Sequence, residues 1–129
     1  MTMITLRLRK IWNVVGAGLT LLVIVASLVP ARDLPRLHIS DKIEHIVAYL
    51  GLSLWFGGLI APRDYTKLAV WLLALGGGIE IAQGMMGLGR TADWYDFYAD
   101  AAGVALGLSL CLVGLRHWAV WLEQWPKPR

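Results

Sequence analysis

Apolar residues gather in four runs, 11–29, 43–61, 68–89 and 97–115, parted by short polar stretches. A membrane-crossing helix needs about 20 predominantly apolar residues, and each run is close to that length. The pattern therefore predicts an all-α integral membrane bundle of four transmembrane helices, forming one domain over 1–129. Short connections favour antiparallel neighbours. Residues 116–129 remain as a tail in which Trp118, Trp121, Leu122 and Trp125 recur at helical spacing. Such a tail is expected to lie along the membrane interface as an aromatic, amphipathic anchor. The first run is read as a retained helix, because it exceeds the usual length of a signal-peptide core and Val25-Ala26-Ser27 is a weak cleavage pattern.

Composition agrees with this pattern. Of 129 residues, 57% are hydrophobic and only 16% charged, and the mean hydropathy is +0.59. A water-soluble globule is disfavoured. The single cysteine, Cys111, excludes an internal disulfide framework. The formal charge of +3 is not concentrated on one stripe, so nucleic acid is not an expected partner; the lipid bilayer is. Charge does orient the chain. With four spans, eight basic residues (Arg7, Arg9, Lys10, Arg63, Lys67, Arg116, Lys127, Arg129) fall on the side of both termini and four (Arg32, Arg36, Lys42, Arg90) on the other. By the positive-inside rule both termini are expected in the cytoplasm.

Ionisable groups inside spanning segments cost about 3 kcal/mol or more each on insertion scales, so they are the first candidates for function. Three groups stand out, all toward the expected outer side. Asp41, His45 and Tyr49 recur at i, i+4, i+8 beside Lys42 and form one stripe down the second helix. Ser40, Asp41 and Glu44 also suit the start of a helix by capping and dipole effects alone. Glu80 and Gln83 lie one turn apart in the third run, Glu80 about 18 Å along its helix at about 1.5 Å per residue. A carboxylate at that depth must be protonated, paired or beside water, and His45 and Arg90 are the expected sources of compensation. Asp93, Asp96 and Asp100 share a face of the fourth run, with Asp93 expected to cap it.

Ala99, Gly103 and Gly107 form a small-residue ridge that reads as helix packing. The Gly76-Gly77-Gly78 run is expected to permit a kink beside Glu80. It is not a phosphate loop, lacking the Lys-Ser/Thr pair. No spaced metal motif and no cofactor motif is evident, so neither a metal nor a cofactor is expected.

Two blocks, read together, resemble the VanZ-like family of small multi-pass bacterial membrane proteins. The first is Asp41-Lys42-x-x-His45-x-x-x-Tyr49; the second runs from Glu80-x-x-Gln83 through Gly89-Arg90 and Asp96 to Gly103 and Gly107. The likeness covers about residues 38–112. Asp100 stands where the family pattern usually has Asn. The resemblance implies a multi-pass protein of the bacterial cytoplasmic membrane, associated with teicoplanin-type antibiotic resistance or envelope homeostasis, and it implies no reaction.

The expected function is that of a binding protein whose outer cluster (Asp41, Lys42, His45, Tyr49, Glu80, Gln83, Arg90, Asp96, Asp100) takes an amphiphilic envelope ligand, a lipid-linked precursor or a glycopeptide-type antibiotic. An intramembrane acid/base or metal-assisted enzyme acting on a lipid-linked substrate is the alternative, but no Ser or Cys nucleophile stands beside the histidine. A proton- or cation-coupled carrier is a third reading; it lacks an ionisable path through the inner half. A homo-oligomer is compatible with each.

Overall fold

The structure, a computed structural model, describes residues 1–30, 33, 40–87, 89 and 91–125. Within them the chain is all-helical. Helices α1 (Arg9–Leu28), α2 (Asp41–Gly57), α3 (Tyr65–Met86) and α4 (Trp94–Leu112) are followed by a short α5 (Trp118–Gln124), with single 3-10 turns at Pro62–Asp64 and Leu115–His117. Two helical stretches, Arg9–Leu28 and Pro62–Met86, are each long and apolar enough to cross a membrane; α4 qualifies only jointly with Leu115–Gln124, across a bend of 81°. Helix α2 is not among them. It has 17 residues and opens with Asp41, Lys42 and Glu44, so little of its length is purely apolar. The exterior is nonetheless apolar, with Val14, Leu21, Leu22, Val70 and Trp71 all more than half exposed. So many large apolar side chains on the exterior suit a lipid environment better than water.

Local chemistry sets the helix ends. Helix α2 stops at Gly57, short of residue 61, because Leu59 to Ala61 pair with the start of the chain. The Ile4 amide donates to the Leu59 carbonyl (3.0 Å), the Ala61 amide to that of Thr2 (2.9 Å), and Met3 bridges Ile60. Pro62 then opens a helical turn where its missing N–H does no harm. Helix α3 runs unbroken through Gly76-Gly77-Gly78, where a kink was expected, and ends at Gly87, whose φ of +61° is a left-handed stop. Asp93 caps α4 by accepting the Tyr95 amide at 2.8 Å.

Helices α2 and α4 make the tightest contact. A Cβ added at Gly103 would strike the Ile46 carbonyl oxygen, and one at Gly107 the Ser53 hydroxyl. With the third member of the ridge, Ala99, also buried, two backbones approach without intervening side chains. Tyr49, Leu52, Leu68, Leu72, Val104 and Cys111 fill the core beside that seam. Helix α1 packs more loosely, burying only Gly16, and an apolar groove of about 530 Å³ lined by residues such as Met3, Phe56 and Leu72 lies beside it.

The tail differs from the expected surface anchor. Helix α5 folds back so that Trp118 meets Trp12 and Trp55, with ring centroids 5.4 and 4.7 Å away. Its indole nitrogen donates to the Leu54 carbonyl at 3.0 Å. The Glu123 carboxylate accepts the Arg7 and Leu8 amides (2.7 and 2.9 Å) and the Trp12 indole N–H (2.7 Å). The first turn of α1 leaves amide donors without intrahelical acceptors, and Glu123 serves the residues leading into it. Trp121, Leu122 and Trp125 keep the exposed position expected of an anchor.

Candidate functional site

The polar residues meet at the end of the bundle opposite the tryptophan cluster, where the N-termini of α2 and α4 lie beside the last third of α3. Close α2–α4 packing brings the first turns of both helices into register. Lys42 donates to Asp93 Oδ2 at 2.6 Å and to Asp96 Oδ1, so one ammonium clamps two carboxylates. One turn deeper, His45 Nδ1 lies 2.7 Å from Asp100 Oδ1. The other ring nitrogen, Nε2, stands 3.6 Å from Asp96 Oδ2, beyond hydrogen-bond range. Asp96 and Asp100 are buried, and Asp41 is exposed at the rim.

Glu80 reaches the group from α3. Its Oε2 accepts the backbone N–H of Asp93 at 2.8 Å, which ties the α3 carboxyl to the cap of α4. Its Oε1 is buried with no hydrogen-bond partner among the described residues. The expected compensation by His45 is therefore not a direct bond, and Arg90, the other expected partner, lies outside the described residues. Asp93, read from the sequence as a cap, is both cap and hub, with its amide on Glu80 and its carboxylate on Lys42. The i, i+3 spacing to Asp96 was the available signal; the capping pattern alone already accounted for the residue.

The glycine run has a role other than kinking. A Cβ on Gly76 would sit 2.6 Å from Asp100 Oδ2 and 3.3 Å from the Tyr49 hydroxyl, so the bare backbone of α3 makes room for both groups. The Tyr49 hydroxyl, like Glu80 Oε1, is buried without a partner among the described residues. Gln83 turns elsewhere, its amide donating to the Ser27 carbonyl at 2.7 Å and fastening α3 to the end of α1. Of the nine expected site residues, Lys42, His45, Tyr49, Glu80, Asp96 and Asp100 converge, with Asp41 at the rim and Gln83 on the α1 side.

Among the described residues Lys42 is the one Lys or Arg in contact with this group, against the carboxyls of Asp41, Glu80, Asp93, Asp96 and Asp100. Outside the helices, the hydrogen bond from Lys42, aided by the Tyr95 amide, holds the Asp93 carboxyl below its ordinary value. Among the described residues the arrangement combines excess acid, a doubly engaged ammonium, an imidazole with one nitrogen outside any hydrogen bond, and two buried oxygens without partners. Buried polar atoms ordinarily find partners, so these two oxygens single out the site among the described residues as a candidate for ligand binding. No family model, curated protein or solved structure matches the chain.

Proposed function

We propose that this chain is a VanZ-like multi-pass protein of the bacterial cytoplasmic membrane that binds an amphiphilic envelope ligand at the polar end of its bundle. In this reading α2 and α4 cross the bilayer with α1 and α3, and both termini are cytoplasmic. The polar end then faces the outer leaflet, where a lipid-linked wall precursor or a lipoglycopeptide antibiotic of the teicoplanin kind is met. The observation that carries the reading is the convergence of Lys42, His45, Glu80, Asp96 and Asp100 from three helices, with Glu80 Oε1 and the Tyr49 hydroxyl buried without a partner among the described residues. Packing alone has no use for these groups, whose placement in an apolar bundle is costly. A site that, among the described residues, sets several carboxyls against one ammonium suits an amine-bearing or amphoteric ligand through charge-assisted hydrogen bonds.

The test is a set of expression-matched variants in a strain whose glycopeptide tolerance depends on the protein. Glu80→Gln, His45→Ala and Asp96→Asn are each expected to abolish the tolerance while membrane insertion persists. Double variants should be little worse than singles, because coupled groups do not contribute additively. Full tolerance in the Glu80 and Asp96 variants, or losses that track misfolding, would refute the binding site.

A further inference from the structure

The free nitrogen of His45 faces two carboxylates. One oxygen of Asp41, one of Asp96 and one ring nitrogen of His45 all lie within 4.8 Å of one another. Nδ1 is engaged by Asp100, so Nε2 is the nitrogen on offer, and a neutral imidazole that donates its Nδ1–H to the Asp100 carboxylate carries its lone pair on Nε2. A carboxylate behind a histidine in this way is the usual support of a metal-binding imidazole. The 3.6 Å between Nε2 and Asp96 Oδ2 is too long for a hydrogen bond. It suits a shared ion, since two ligands about 2.1 Å from a tetrahedral zinc stand about 3.4 Å apart.

We propose that Asp41, His45 and Asp96 bind a divalent transition-metal ion of the zinc class, with Asp100 positioning the imidazole from behind. One nitrogen and two oxygens form a mixed donor set suited to such an ion, and three protein ligands leave a coordination position for water or a ligand. Asp96 is able to serve two partners, because Lys42 takes Oδ1 and leaves Oδ2 toward His45. Asp41 sits at the exposed rim, where its side chain has freedom to close on the ion. An independent observation indicates the same place. The Glu80 carboxyl, 1% exposed, interacts through space with Asp96, His45 and Asp100, and its Oε1 has no partner among the described residues. A cation among these carboxylates offsets their excess over Lys42, the one Lys or Arg in contact with them among the described residues. The site stands whichever organic ligand the cluster serves.

The test uses the tag-free full-length protein in detergent, stripped with chelator and titrated calorimetrically with Zn²⁺ alone. One equivalent per chain is expected. Asp41→Asn, His45→Gln and Asp96→Asn should each weaken binding at least tenfold, and Asp100→Asn roughly 10- to 100-fold through loss of support to the imidazole. His117→Ala, at the other end of the bundle, should bind as wild type. Asp41 is exposed, so its variant separates ligation from folding: equal thermal stability without zinc but weaker zinc binding is the supporting result. Absence of saturable binding in the wild type, unchanged affinity in Asp41→Asn, or loss of binding in His117→Ala would each overturn the site.

Discussion

Lys42 illustrates how much one side chain arranges here, because its two acceptors belong to the cap and to the first turn of α4. The sign of the resulting pH effect follows from Asp93, whose pKa is depressed in the fold by the Lys42 hydrogen bond and the Tyr95 amide. A depressed acid stabilises fully above its unfolded value, and the contribution is lost as pH falls through the folded one. Thermal unfolding in detergent should therefore show a stability decline on the acid side of the ordinary carboxylate range that is smaller in Asp93→Asn. An unchanged acid limb in that variant would dissociate Asp93 from the effect. Gly76 is the second residue-scale case. A methyl there collides with Asp100 Oδ2 at 2.6 Å, so Gly76→Ala should dislodge Asp100 from His45. The expected loss of ligand-dependent tolerance matches that of Asp100→Asn, accompanied by an overpacking cost of about 1–3 kcal/mol in thermal stability. Retention of wild-type tolerance in Gly76→Ala would contradict the close-approach account.

Pairs of elements are held by different means at the two ends. The α2–α4 seam depends on missing side chains. Gly103→Ala should destabilise by about 2 kcal/mol, since its Cβ meets backbone of α2 that has little freedom to yield. Gly18→Ala, with no heavy atom within 4 Å of the added carbon, should be neutral or slightly stabilising. Equal unfolding midpoints for the two variants would remove the seam argument. At the other end, α5 is held by aromatic packing and the carboxylate of Glu123. Trp118→Ala should cost about 3 kcal/mol by deleting a side chain packed on Trp12 and Trp55. Limited proteolysis is the check, with faster trimming of the tail expected in Trp118→Ala than in Trp121→Ala, whose ring is largely exposed.

The two ends of the described bundle are chemically opposite, with the cluster of Trp12, Trp55 and Trp118, the start of the chain and most described basic residues at one, and the acidic cluster at the other. In the proposed orientation a cysteine at Ala92 should react with an impermeant thiol reagent in intact cells and one at Asp64 should not. The native Cys111 is fully buried and adds no background. Reaction at position 64 alone would reverse the topology. The sequence by itself determined the helical class, the approximate position of each helix and which costly polar residues crowd toward one end, because these depend on local hydrophobicity and spacing summed over a turn or more. It also marked Gly103 and Gly107 as packing positions. What it did not determine was the extent of each apolar run that stays helical. Residues 59–61 leave α2 because the first residues of the chain pair with them, a contact between segments more than 50 positions apart. Nor did it determine which partner each acid takes. That Glu80 bonds the Asp93 amide, that Gln83 turns to α1, and that Trp118 lies inside a cluster were decided only by the tertiary structure. Hydrogen bonds and ion pairs act over about 3 Å, and the rotation and axial shift of one helix against another, which set contacts of that length, arise from packing the whole bundle at once.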